Sequence, residues 1–532
     1  MRILITSIGL ALVLFSCQSE TSQSTNKKDA ERPNILFVMT DDHAQQAISA
    51  YGSQLIETPN IDRLAKEGML FNHAYVTNSI CAPSRAVILT GKYSHVNGVL
   101  DNKMPFDSTQ QTFPKLLQAA GYNTAMVGKW HLKTTPTGFD YYKILPGQGR
   151  YYNPVFKTAK GKETIEGHNT TITTDIALDW LANKRDTTKP FLMLYQHKAP
   201  HRGWYPEPQH TRINHQYPVP DTYFDDYEGR GQAAKQAEMR VAEHMGPSWD
   251  LKVQPPEPLN IKEGDGRTNN YRWTYKSMSE EQRLAWDAVY DTVTQAYHHA
   301  SLKGREMDIW KYQRYMQDYL ACVQEVDNNL GRILDYLDEN NLTENTLVVY
   351  TSDQGFYLGE HGWFDKRFMY EESFHTPLII RWPKVIAAGE VNDDFVMNLD
   401  FASTFLQAAG VNVPQDMQGE SFLPILKGES PENWRESMYY HYYEYPGAHS
   451  VKRHYGIKTK DYKLIHFYYD IDEWELYDLQ KDPKEMNNVI NKPEYAEIVD
   501  QMKNQLKGLQ NQYGDSEALR KQYVQDMLVK RK

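Results

Sequence analysis

Cys81 is the residue most in need of a chemical explanation. The chain carries three cysteines, too few for a disulfide framework. Cys17 closes a short apolar run from Ile3 to Phe15, and Cys322 falls in a helically spaced stretch, Tyr312 to Leu337, where a buried small apolar residue is expected. Cys81 instead lies between Asn78-Ser79 and Pro83-Ser84, with no apolar period to bury it. Four other clusters concentrate reactive residue types: Thr40-Asp41-Asp42-His43, Gly128-Lys129-Trp130-His131, Gln196-His197-Lys198-Ala199-Pro200-His201 and Thr351-Ser352-Asp353-Gln354-Gly355. Asp41, Asp42, Asp353 and Gln354 offer the oxygen donors that a hard divalent cation prefers. Taken alone, Asp41-Asp42 would serve equally as a helix N-cap pair. Histidines such as His131 and His201 are suited to moving protons near neutral pH, whereas His197 reads as readily as a structural residue of a pocket wall.

Something must hold these clusters together, and each follows an apolar run of strand length. Asn34 to Met39, Thr124 to Val127, Phe191 to Tyr195 and Thr346 to Tyr350 read as strands covered on both faces. Open α/β sheets place their sites at the carboxyl ends of such strands. Helices are expected from Ile61 to Glu67, begun by Thr58-Pro59-Asn60 and closed by Gly68, and from Phe113 to Ala120, ended by Gly121. Trp204 to Tyr275 is rich in Pro, Tyr and charge with little periodicity, and reads as a long insertion over the site. Helical spacing returns from Glu280 to Leu337. Beyond about residue 430, short aromatic strands over 437–445, 455–459, 462–469 and 473–479 predict a small antiparallel sheet, closed by a helix over 495–513.

At 532 residues, one large domain plus a smaller one is the natural prior. Tyr at 37 and Trp at 11 exceed what a disordered chain carries. The net charge of -11 argues against a nucleic-acid or general polyanion binder, though not against a local basic pocket. Arg2 and the apolar run after it read as an export signal. Its end, Leu14-Phe15-Ser16-Cys17, is similar to a bacterial lipoprotein signal, in which the cysteine becomes the lipidated first residue. The alternative is a plain cleaved signal with a chance cysteine. The organisation expected is therefore a signal over 1–17, a polar tether over 18–32, a catalytic domain over 33–429 and a C-terminal subdomain over 430–532. The location expected is the periplasm or cell surface, with a lipid anchor at Cys17 as the one contact with a membrane.

Cys81-Ala82-Pro83-Ser84-Arg85, followed by Leu89-Thr90-Gly91-Lys92, resembles the signature of the type I sulfatases of the alkaline phosphatase-like superfamily. With the four strand-end clusters, the resemblance runs from about Pro33 to Asn487. It implies an α/β fold with a large mixed central sheet flanked by helices and a smaller C-terminal antiparallel sheet plus helix. It implies that a maturation enzyme reads Cys-x-Pro-x-Arg and oxidises Cys81 to formylglycine. One hydroxyl of the hydrated aldehyde attacks sulfur and the other later expels the sulfate, where an ordinary serine would leave a stable sulfate ester. By the same resemblance, Asp41, Asp42, Asp353 and Gln354 bind one calcium ion (Ca2+) together with the converted residue 81. Gln354 departs mildly, since Asn is commoner there, but an amide oxygen still serves. Arg85 and Lys129 brace the formylglycine, His131 helps to take its proton or release sulfate, Lys366 contacts the sulfate and bridging oxygen, and His201 is the general acid. His-Lys-Ala-Pro-His-Arg and the run from Tyr439 to Asn488 resemble bacterial glycan sulfatases grouped near N-acetylglucosamine-6-sulfatases, so the implied partner is a sulfated glycan. Trp204, Tyr205, His441, Tyr443, His449 and His454 are candidates for stacking on sugar rings, with ordinary packing as the alternative. Two other functions stay open: a phosphonate or phosphodiester hydrolase of the same superfamily, and a lipid-anchored glycan-binding protein without activity. The first would differ in substrate assay. The second would show a decayed ligand set, whereas every position here is filled.

Overall fold

The computed structural model describes residues 32–255 and 266–530. The expected signal, Cys17 and the tether through Glu31 lie outside the described residues. Five apolar runs form the parallel heart of a ten-stranded sheet: β1 (Asn34–Thr40), β2 (Asn123–Lys129), β3 (Tyr141–Leu145), β4 (Phe191–Gln196) and β5 (Thr346–Ser352). They lie in the order β5, β1, β4, β2, β3, each adjacent pair parallel. Register brings their ends level: Thr40 pairs with Ser352, Met39 and Gly128 each with Gln196, and Lys129 with Leu145. The polar clusters therefore leave from one edge, as doubly wound sheets require of their sites. Leu378–Arg381 runs antiparallel beside β5, and the hairpin Val155–Thr158 to Gly161–Thr164 lies beyond β3, which makes the sheet mixed.

Four helices matter to the site: α1 (Pro59–Lys66), α2 (Cys81–Thr90), α3 (Gly304–Glu339) and α4 (Ala496–Tyr513). Alternate residues of β1 point to opposite faces. Leu36 and Val38 share a core with Tyr319, Leu330 and Leu334 of α3, while Ile35, Phe37 and Met39 pack in another with Ala82 and Ala86 of α2 and with Phe401 and Phe405. That double burial explains the unbroken apolar run. The start of α1 is held differently from expectation, because Thr58 makes no side-chain cap. Asp327 of α3 reaches across instead and accepts the N–H groups of Asn60 and Ile61 at 3.0 and 2.9 Å, with the Asn60 amide at 2.9 Å.

The C-terminal sheet is an antiparallel meander of Ser437–Tyr442, His454–Thr459, Tyr462–Phe467 and Glu473–Asp478. It is followed by α4 and by a further helix, Glu517–Lys530, that the sequence reading did not foresee. Asp515, in the turn between these helices, accepts from His441 at 2.7 Å, Arg520 at 2.9 Å and the Tyr439 hydroxyl. The insertion is more regular than expected, with helices at Gln232–Gln236, Val241–His244 and Gly266–Ser277. Most of its aromatic wealth, and that of the sheet, is spent inside. Trp204, Tyr205, His441, Tyr443 and His454 are all buried, with Trp204 against Tyr315, Tyr205 stacked on Trp286 and His441 on Tyr443. Large rings build a core where no regular apolar period exists, so five of the six residues considered for sugar stacking are packing residues.

Candidate active site

Cys81 is the first residue of α2, and its fourth successor, Arg85, lies on the same helical face. Pro83 fits between them because a helix's first turn has no need of its N–H. The Cys81 side chain is fully buried, with Sγ 3.3 Å from Asp41 Oδ1. Burial pushes its thiol up to about 12, so an unmodified Cys81 would stay neutral and unreactive at pH 7.

Around it the strand ends converge. Asp41 and Asp42 follow β1, Lys129 ends β2, His201 lies in the turn after β4, and Asp353 and Gln354 follow β5. Asp41, Asp42 and Asp353 are fully buried and each brings a carboxylate oxygen within 4.8 Å of the others. Arg85 orients Asp353 through Nε at 2.9 Å and Nη2 at 2.8 Å, while its Nη1 donates to the Lys129 carbonyl at 2.7 Å and to Gln196 at 2.9 Å. Lys129 is paired with Asp41. Lys366 donates to Asp42 at 2.5 and 2.7 Å, and Gln354 Nε2 to Asp42 Oδ1 at 2.5 Å. His201 Nε2 stands 3.9 Å from Asp42 Oδ2. His131 is near enough for the charges of Lys129, Arg85 and Lys366 to act on it. Nine of the ten residues that the resemblance implies are thus linked in one constellation, and His131 lies close enough to feel its charges.

Local backbone explains several of these positions. Asp42, His131, Asp365 and Arg367 all have left-handed φ, at 70°, 55°, 76° and 100°. Such conformations cost non-glycine residues roughly 1 kcal/mol or more and persist where surrounding structure imposes them. Gly128 has φ +98, and a Cβ there would lie 2.0 Å from the Gln196 carbonyl oxygen, so the Gly-Lys-Trp-His turn needs its glycine.

The donor set suits a hard cation. Three buried carboxylates lie together, and burial raises Asp42 to about 6 even with Lys366 beside it. Gln354 Oε1 is buried without a hydrogen-bond partner. The two amide ends are interchangeable by rotation, so this oxygen can turn toward the carboxylates to join them as a ligand. These side chains can hold a metal ion with oxygen ligands.

The sequence reading assigned no role to Lys198, Gln196, Asp365, Arg367 or Arg202. Lys198 is buried, and that burial lowers it to about 8, with Asp42 pulling the other way. Arg367 pairs with Asp365 at 2.8 Å, and His449 Nε2 approaches Asp365 at 3.2 Å and Arg202 at 3.3 Å. His449 is thus the one aromatic candidate that stands at the site. Lys198 sits inside a quoted cluster and was legible in principle; a rim assembled from positions 202, 365, 367 and 449 carries no sequence spacing.

The sulfatase family model matches residues 33–411, and that of the C-terminal region of N-sulphoglucosamine sulphohydrolase matches residues 359–512. The N-acetylglucosamine-6-O-sulfatase of Bacteroides thetaiotaomicron is 52% identical over 522 residues, covering 97% of this chain and 92% of that protein. An arylsulfatase of Clostridium perfringens is 27% identical over 542 residues, covering 92% and 98%. A solved structure titled as a complex with its substrate, D-glucosamine-2-N,6-O-disulfate, superposes with a TM-score of 0.88 at 52% identity, over 92% of this chain and 99% of that one. With a family model over residues 33–411, a relative 52% identical across 97% of the chain, and the polar clusters gathered at the carboxyl edge of the expected sheet, the chain belongs to the sulfatase family of sulfuric ester hydrolases.

Proposed function

We propose that this sulfatase removes the 6-O-sulfate from a glucosamine residue of a sulfated glycan, through formylglycine made from Cys81 and one bound calcium ion. The observation that carries the substrate is the 52% identity, across 97% of the chain, to a protein named for that activity. Asp41, Asp42, Asp353 and Gln354 would hold the calcium, which when bound draws charge from the sulfate oxygens. Converted by a maturation enzyme, Cys81 supplies a hydroxyl nucleophile that an ordinary side chain does not offer. Residue 81 opens α2, whose N-terminal end favours negative charge.

Arg85 and Lys129 bind and orient: one locks Asp353, the other neutralises Asp41. Lys366 and Lys198 place positive charge where the anionic ester must sit. His201 can hold the proton for the departing sugar oxygen. Its Nδ1 lies 2.8 Å from the Arg202 carbonyl, which can only accept, so Nδ1 carries the hydrogen and the transferable proton belongs on Nε2, facing Asp42. Burial, with Lys129 and Lys198 adding to it, holds His201 well below the usual histidine range. An arriving sulfate ester brings negative charge that favours the imidazolium.

We place the enzyme outside the cytoplasm, anchored by lipid at Cys17. The decisive experiment is a desulfation screen over defined sulfated mono- and oligosaccharides with Cys81→Ala as control. Release of 6-O-sulfate from glucosamine by the converted enzyme alone supports the reading; release from another sugar or position only would replace it. Loss of radiolabelled lipid in Cys17→Ala tests the anchor.

A further inference from the structure

A groove of about 350 Å³ lies outside the catalytic constellation, lined among others by Gln148, Arg150, Lys162 and Trp273. We propose that it is a second glycan subsite, binding a further anionic sugar residue of the chain whose sulfate is cleaved. The inference rests on the glycan sulfatase reading given above and extends it to substrate length.

Position is the first argument. The loop carrying Gln148 and Arg150 follows β3, which runs parallel to β2 with Leu145 paired to Lys129. It therefore leaves the sheet at the edge from which the catalytic loops leave. The next residue, Tyr151, donates its hydroxyl to the His201 carbonyl at 2.7 Å. One tyrosine side chain thus separates the groove's loop from the backbone of the proposed acid.

Surface chemistry is the second. Trp273 is 50% exposed although it is among the largest apolar side chains of the protein. The Arg150 guanidinium lies 3.5 Å from its ring centroid, which fixes both groups. A rigid, half-open indole suits the apolar face of a pyranose, and a guanidinium beside it suits a sulfate or carboxylate.

Charge is the third. The groove's lining has two cations and no carboxylate, in a chain of net charge -11. A larger cavity beside α4 carries Asp393, Asp394, Glu436 and Asp461 against two cations, and a groove near Tyr223 carries Asp225, Asp226, Glu243 and Asp308 against one. A polyanionic chain is repelled by those two and attracted to this one.

The test compares the converted full-length enzyme with its Trp273→Ala, Trp273→Phe and Lys162→Gln variants. Substrates are a 6-O-sulfated glucosamine monosaccharide and a sulfated tetrasaccharide ending in the same sugar. Trp273→Ala should lower kcat/KM for the tetrasaccharide about tenfold, as loss of one stacking contact implies, and leave the monosaccharide within about twofold. Trp273→Phe keeps a ring and should retain most of the difference. Lys162→Gln should cost the tetrasaccharide about threefold at low salt and little at high salt. Equal losses on both substrates, or none on either, would overturn the subsite. If neither substrate is turned over, the parent reading fails, and calorimetric binding of the tetrasaccharide to wild type and Trp273→Ala still decides the groove: equal affinities refute it.

Discussion

Protonation of His201 at Nε2 matters only if the departing oxygen needs a proton. A sugar alcohol does, and an activated aryl oxygen hardly does. His201→Ala should therefore lower kcat on a sugar sulfate by about 10²–10⁴ while affecting an aryl sulfate with a good leaving group far less; parallel assays on the two check it. At Gln354 the oxygen is the atom that the proposed calcium would use. Gln354→Leu should lose bound calcium by elemental analysis along with activity, whereas Gln354→Asn should keep both. Lys198 sets an upper pH limit. Burial holds its ammonium at about 8, so its charge is present below that pH and lost above it. The kcat/KM profile should fall as pH rises through about 8, and Lys198→Arg should move that limb upward. Asp41, Asp42, Lys129, His131, His201, Asp353 and Gln354 were legible because their types are few and each stands at or just after the end of a strand, whereas Cys81 and Arg85 of α2 and the loop residue Lys366 were legible through the family resemblance. The part Gln196 plays in holding Arg85, and the pairing of Asp365 with Arg367, were not, since a partner's identity depends on which loops meet in space.

Among the elements, strands were the most legible and helix termini the least. The unbroken run of β1 reports two covered faces directly, but nothing near Thr58 reports that its helix is capped by Asp327, 267 residues from Asn60. Removing that carboxylate leaves two N–H groups and an amide without their partner. Asp327→Ala should cost about 2–3 kcal/mol in urea unfolding, with the loss greatest for protection of α1 in hydrogen exchange. The aromatic rings of the insertion and C-terminal sheet misled for a related reason. Composition shows that rings are present, and only the packing of Trp204 on Tyr315 or His441 on Tyr443 shows that they face inward.

For the whole molecule, an acidic body with Arg85, Lys129, Lys198 and Lys366 clustered at one sheet edge should direct an anionic glycan to that edge, and added salt should raise KM more than it lowers kcat. The depth of Cys81 has another consequence, one of timing. A side chain with no exposed surface, at the start of a helix whose ten residues are all buried, cannot enter the active site of another enzyme while the fold is closed. On the formylglycine proposal, oxidation comes first and folding second, so the maturation enzyme has to intercept the chain before the sheet closes over α2. Folded protein made without that enzyme should remain a thiol by mass spectrometry when the enzyme is added later, and the same chain offered unfolded should be converted.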